Sequence, residues 1–352
     1  MLGSGAAPGS PARVTWVPHG DATVRGLWLH VGAASCAPQV RAERRRDAAA
    51  LAKCDVRPLA IGIPYSCNNI FHATFHAVPA WEQHAAAAAA QREPPPTFVP
   101  IVYSTTAIGK KMADDPALWH AWEFSVRPFS TLSAARIAAD TTRLLRAPCT
   151  CFARVEANAP AFNPNARHAA TRLRAFREAA LRSVRAMPNG APPPPVHGVG
   201  ASAAAADGRL LYVARRHAKR AIVNGAALET ALSALPEVRR VRLEELSLAA
   251  QMLLFNRAAG LIAVHGQAMA WVLFLPSERQ RVAAVEIFPG SASQTIYKTW
   301  CRVLGVHYQR LSAPIAGGCA TNKMNWLTCN VSVDVDQVVQ AARVAAQKTV
   351  NL

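Results

Sequence analysis

The sequence predicts an α/β protein whose later half is a doubly wound, Rossmann-like domain. Three observations carry this expectation. Short apolar runs alternate with helix-period stretches after residue 207, a proline-rich stretch divides the chain, and the composition is that of a folded body. The runs are RLLYVA at 209–214, a second at 238–243, LIAV at 261–264 and VAAVEIF at 282–288. Between and after them, residues 225–235, 247–258, 268–275 and 292–304 repeat apolar side chains at the helical period. Strands that alternate with helices form βαβ units, which build a parallel sheet covered on both faces. A last amphipathic segment, 335–349, reads as a helix that packs back at the domain junction.

The 352 residues suffice for two domains with real cores, and 51% hydrophobic against 17% charged residues excludes a disordered, highly charged chain. The first domain covers 1–188. In it, residues 56–60, 98–103 and 151–155 read as strands and 70–91, 116–124 and 166–187 as helices, which fits a second α/β domain. Residues 189–207, NGAPPPPVHGVGASAAAAD, form the linker. Four consecutive prolines continue neither a helix nor a central strand, and the small residues after them have nothing to bury. The second domain covers 208–330, and 331–352 carries the terminal helix. The longest apolar run, 260–276, contains His265 and Gln267 and falls short of the about 20 residues a membrane span needs, so it reads as buried sheet and helix.

The net charge is +18, from 32 Arg and 7 Lys against 21 acidic residues. An anionic partner is expected: a nucleic acid, or the diphosphate of a nucleotide-activated substrate held by arginine forks. An arginine-over-lysine, alanine-rich composition also follows from a GC-rich genome, so local placement decides. Eight cysteines, at 36, 54, 67, 149, 151, 301, 319 and 329, form no pair of CxxC knuckles. They are paired in a luminal protein and small buried hydrophobes in a cytosolic one. The sequon Asn330-Val331-Ser332 leans toward the lumen, while the opening MLGSGAAPGSPARV shows no targeting segment.

In an open α/β sheet, ligands sit beyond the carboxyl ends of the strands. After RLLYVA stand Arg215, Arg216, His217, Lys219 and Arg220, then Asn224 before the next helix. After LIAV stand His265 and Gly266, opening a helix near Gln267; VAAVEIF carries Glu286. The basic cluster and the exposed amides after Gly266 would together hold a phosphate or diphosphate. Glu286 suits ribose or sugar hydroxyls; the plainer alternatives are a packed histidine, a solvated arginine turn, and a Glu286 paired with Arg281.

These residues also carry a resemblance. From residue 209 to about 314 the chain resembles the catalytic domain of glycosyltransferase family 61, which includes plant N-glycan β-1,2-xylosyltransferases, xylan arabinosyl- and xylosyltransferases, and animal protein O-linked N-acetylglucosaminyltransferases. The family's strand, Arg-rich turn and Asn match RLLYVARRHAKRAIVN; its helix and strand ending in His-Gly match LEELSLAAQMLLFNRAAGLIAVHG; its Glu-bearing strand matches VLFLPSERQRVAAVEIFP. Upstream, Asn69-Ile70-Phe71-His72 resembles the family's Asn-x-x-His segment, and Cys151-Phe152 and Leu173-Arg174-Ala175-Phe176-Arg177 resemble segments before the linker.

The resemblance implies a GT-B-like architecture, two Rossmann-like domains facing across a cleft, the donor on the later one and the acceptor mainly on the earlier. It implies an inverting transfer of xylose, arabinose or N-acetylglucosamine from a UDP-sugar to a glycan or glycoprotein, with no cofactor beyond the donor. Arg215, Lys219 or Arg220 and the helix start at Gly266, Gln267 and Ala268 would stabilise the leaving diphosphate, Asn224 and Glu286 would position the nucleotide sugar, and His265 would bond phosphate or sugar. His72 or His76 would be the base. The implied compartment is the lumen of the Golgi or endoplasmic reticulum, reached by a targeting segment not visible in this chain.

Two positions depart from the family pattern. An acid common one turn after the Asn-x-x-His histidine is His76 here, and His-Gly-Ala-Gly has become His265-Gly266-Gln267-Ala268. The alternative function they admit is a non-catalytic nucleotide-sugar or glycan-binding relative. His72 and His76 are spaced as zinc-binding pairs are, but HATFH lacks the glutamate of that motif and a third ligand, so no metal site is expected. Asp334-Val335-Asp336 reads as a helix start rather than a metal-nucleotide motif, and nucleic-acid binding has only net charge in its favour.

Overall fold

The structure, a computed structural model, describes residues 12–15, 41–43, 55–64, 74, 77–79, 81–82, 85, 98–103, 127–128, 150–156, 162–187, 208–215, 220–290, 294–317 and 329–350. The chain forms two compact units, one of residues 1–163 with 178–187, the other of 164–177 with 188–352.

The first unit contains β1 (Ala12–Thr15), β2 (Arg41–Glu43), β3 (Asp55–Pro64), β4 (Phe98–Tyr103) and β5 (Thr150–Glu156). They form one sheet in the order β2-β1-β5-β3-β4. The pairs β5–β3 and β3–β4 are parallel, whereas β1 runs antiparallel to both β5 and β2. The strands expected at 56–60, 98–103 and 151–155 are the parallel ones. The helix expected at 116–124 lies outside the described residues. The long helix α1 (Ala169–Arg185), expected over 166–187, belongs to the second unit up to Arg177.

The second unit alternates as its sequence predicts. Its strands are β6 (Leu210–Val213), β7 (Val238–Val241), β8 (Gly260–Val264), β9 (Ala283–Pro289) and β10 (His307–Ala313). Its helices are α2 (Gly225–Ser233), α3 (Leu248–Phe255), α4 (Ile296–Leu304) and α5 (Val335–Val350). All five strands are parallel, in the order β10-β9-β8-β6-β7. In sequence order that is 5-4-3-1-2, so the direction of winding reverses between β6 and β8. β6, β8 and β9 are buried at every residue, as central strands under helices must be.

Side chains alternate across the sheet. Tyr212, Ile262, Val264, Val285 and Ile287 face Val338, Ala341, Ala342 and Ala345 of α5 and Leu228 and Leu232 of α2. Asp334 caps α5, its Oδ1 accepting from the Gln337 amide at 3.0 Å, which accounts for the Asp-Val-Asp spelling.

Two elements differ from expectation. The stretch read as a helix at 268–275 winds as a 3-10 helix, Gln267–Phe274, with its apolar residues from Met269 onward buried all round. Its last carbonyls are taken by side chains: Asn256 Nδ2 donates to Phe274 O at 3.2 Å and Arg177 Nη1 to Leu275 O at 2.8 Å. Strand β10 was not expected, because HYQRLSA has no apolar run; it is the sheet edge, mostly half-exposed. Among the described residues, no helix is long and apolar enough to cross a membrane.

Candidate functional site

The reversal of winding puts the ends of β6 and β8 side by side, and the residues singled out in the sequence follow those two ends. β6 leads into Ala214 and Arg215; β8 leads into His265 and Gly266. In doubly wound sheets this is where a crevice opens.

Three features fix the turn after β8. The His265 amide donates to Ile287 O at 2.8 Å, which keeps the residue in line with β9. Gly266 has φ +140°, a backbone conformation that favours glycine. Arg220 Nη1 donates to His265 O at 3.0 Å and lies where a β-carbon at 266 would stand, 2.4 Å away. Arg220 itself has φ 57°, unusual for a non-glycine residue and retained where surrounding contacts enforce it.

The segment that presents Arg220 is fastened by the chain before α5. Ile222 bridges in parallel to Val331, with Val331 N donating to Ala221 O and Val223 N to Val331 O, both at 2.9 Å. The Ala221 amide donates to Asn330 Oδ1 at 2.9 Å. Asn224 closes the clasp: its Nδ2 donates to Val333 O at 2.7 Å and its Oδ1 accepts from Val333 N at 3.1 Å. Asn224, expected at the nucleotide sugar, thus holds backbone and supports the arginine turn.

Electrostatically the site is rich in desolvated cations. Burial lowers Arg215 to about 10, and the neighbouring Arg220 charge adds to that lowering. Burial likewise lowers Arg220, opposed by Tyr297. Both remain cations at neutral pH. Arg215 Nη1 and Arg220 Nε are buried without a hydrogen-bond partner among the described residues. Buried polar groups are nearly always bonded, and these two guanidinium nitrogens beyond the ends of β6 and β8 are donors suited to an anion.

Glu286 lies behind this rim, 1% exposed on β9 between Ala263 and Arg310 of the flanking strands. Its Oε1 meets His265 Nδ1 at 2.5 Å and its Oε2 accepts from the Tyr308 hydroxyl. It is paired with these two rather than with Arg281. The His265 ring packs 4.4 Å from Phe288 and edge-on to Tyr297 at 5.2 Å, centroid to centroid. Arg310 stacks over the far side of this group, 3.8 Å from the Phe288 centroid. Burial and the Glu286 bond push the Tyr308 phenol above its ordinary value.

The structure therefore brings Arg215, Arg220, His265, Gly266 and Glu286 together, with Gln267 opening the 3-10 helix beside them and Asn224 in support. Lys219, His72 and His76 lie outside the described residues. Sequence reasoning missed Tyr297, Tyr308 and Phe288. The only signal for Tyr308 was its spacing from Arg310, which places both on one face of an unrecognised strand.

A winding reversal with half-buried arginines beyond its strand ends stands where open α/β sheets hold their ligands. More narrowly, the family pattern of glycosyltransferase 61 matches residues 66–282, more than half of the chain, and the protein belongs to that family. The match includes Arg215, Arg220, Asn224, His265 and Gly266 and ends just before Glu286. No curated protein matches the sequence.

Proposed function

We propose that the chain is an inverting glycosyltransferase that binds the diphosphate of a UDP-sugar at Arg215, Lys219, Arg220, His265, Gly266 and Gln267, and passes xylose, arabinose or N-acetylglucosamine to a glycan or glycoprotein. The observation that carries this reading is the pair of orphan guanidinium donors, Arg215 Nη1 and Arg220 Nε, at the crevice beside the His265-Gly266 turn. Such groups stabilise charge that develops on a departing diphosphate and need no reorganisation as the bond breaks. The chain's own cations are the charge partners here, and no metal is part of the proposal. Asn224 and Glu286 act in support, Asn224 by holding the arginine turn and Glu286 by holding His265.

Inversion needs a base for the acceptor hydroxyl, and His72 or His76 is proposed for it from an acceptor-side domain in a GT-B arrangement. The lumen of the Golgi or endoplasmic reticulum is the proposed compartment, supported by the disulfide-bonded state of Cys329. The test is incubation with a panel of UDP-sugars, reading binding by calorimetry and turnover by UDP release. Binding with turnover supports the enzyme; binding without turnover for any acceptor supports a carbohydrate-binding relative, to which the departures at His76 and Gln267 point. No UDP binding contradicts the enzyme and a nucleotide-sugar-binding relative, and leaves a glycan-binding relative as the reading.

A further inference from the structure

We infer that Glu286 and Tyr308 are positioning residues that fix which nitrogen of His265 carries a proton and hold its ring in place at the crevice. The inference rests on the donor-site reading above only for the ligand that His265 meets.

The starting point is an otherwise apolar strand. β9 reads Ala-Ala-Val-Glu-Ile-Phe-Pro and is buried throughout, yet it keeps a carboxylate in its middle. A buried carboxylate is costly unless paired and hydrogen-bonded, and packed apolar residues in its place are often as stable or more so. Core packing therefore does not account for Glu286. Its bonds do: each oxygen meets a donor from a different neighbouring strand, His265 at the end of β8 and Tyr308 on β10.

The chemistry of that chain is directional. A carboxylate only accepts, so Nδ1 of His265 must donate to it, and the Tyr308 hydroxyl must donate to the other oxygen. A neutral His265 is then held in the tautomer protonated at Nδ1, whose Nε2 can only accept, as from a ligand hydroxyl; Nε2 donates to a phosphate oxygen only in the imidazolium form. Tyr308 keeps the second oxygen from turning toward another partner. Phe288 and Tyr297 pack against the ring, at 4.4 and 5.2 Å between centroids, and restrain it. Among the described residues, the charged and titratable groups around His265 and its partner include Glu286 from β9, Tyr297 and Cys301 from α4, Tyr308 and Arg310 from β10, and Arg220 at the His265 carbonyl.

Two readouts on the full chain test this. In protein labelled with 15N at histidine, His265 should give a downfield, slowly exchanging Nδ1 proton, identified by its loss in His265→Asn. That signal should shift and exchange faster in Tyr308→Phe and vanish in Glu286→Gln, whose amide cannot accept from both donors. UDP affinity, measured by calorimetry, should fall roughly tenfold in Tyr308→Phe, the equivalent of one charge-assisted hydrogen bond misplaced. An Nδ1 signal unchanged in Tyr308→Phe overturns the inference, as does unchanged UDP affinity once the signal has moved. A wild-type protein that shows the signal but binds no UDP contradicts the donor site and upholds the positioning role. Tyr308→Phe keeps the ring and removes one atom, so it carries the test if Glu286→Gln fails to fold.

Discussion

Arg220 occupies the space that Gly266 leaves: its Nη1 lies 2.4 Å from where a β-carbon at 266 would be, and 3.0 Å from the His265 carbonyl. Glycine at 266 is thus required twice, by φ +140° and by the guanidinium beside it. Gly266→Ala should displace Arg220 and cost about 1–3 kcal/mol of stability from the backbone conformation alone. UDP affinity should drop with it, read by calorimetry on the folded fraction. A variant of unchanged affinity shows that Arg220 need not sit against the turn.

On the proposed function, Arg215 is expected to oppose stability and to serve binding. A desolvated guanidinium with an unbonded nitrogen costs folding free energy, and an apolar side chain of similar length removes that cost. Arg215→Met is expected to bind UDP at least about tenfold more weakly, since a charge-assisted bond contributes about 1.5–3 kcal/mol. Its denaturation midpoint should equal or exceed that of the wild type. A lower midpoint with unaltered binding assigns Arg215 to structure.

Asn224 joins the arginine turn to the chain before α5 by two hydrogen bonds to one residue, Val333. Asn224→Ala leaves both Val333 backbone groups without their partner and should cost about 1–3 kcal/mol, seen as a lower urea midpoint at unchanged slope. Because the clasp also holds the segment leading from Arg220, UDP affinity should weaken in the same variant.

The loop after the 3-10 helix carries a pH dependence. Arg177, 1% exposed, donates to Leu275 O and pairs with Glu278. Burial raises the Glu278 carboxyl, but the bond and charge of Arg177 outweigh it and hold the group below its ordinary value of 4.5. A depressed carboxyl contributes stability that is present above the unfolded pKa and disappears as pH falls through the folded value. Since Glu278 is 29% exposed, the contribution is about 1–2 kcal/mol. Glu278→Gln should lower stability at pH 7 and flatten its decline below about pH 4.5, followed by denaturant titration at several pH values. Parallel declines in both proteins remove Glu278 from the acid response.

Legibility followed burial. Central strands show as apolar runs: 282–288 was expected where Ala283–Pro289 is found, and 261–264 where Gly260–Val264 is found. β10 did not show, because an edge strand needs few apolar residues and HYQRLSA keeps polar ones on its open positions. β1 and β2, of four and three residues, are too short to carry a period. Gln267–Phe274 has a helical apolar pattern whether it winds as an α- or a 3-10 helix, and the capture of its final carbonyls by Asn256 and Arg177 depends on tertiary contacts. In the site, His265 was visible after one apolar run and Glu286 within another, but their bond follows from strand order and register. The adjacency of β6 with β8, and of β8 with β9, is a property of the sheet that spacing along the chain does not encode.

On the proposed function, the half-buried Arg215 and Arg220 beside the His265-Gly266 turn hold a diphosphate. Calorimetric titration of UDP into the wild type and into Arg215→Ala with Arg220→Ala tests it most directly. Saturable binding is expected in the wild type, and the double substitution should abolish it while the protein remains folded by circular dichroism. Equal UDP affinity in the two proteins, or none in the wild type, contradicts it.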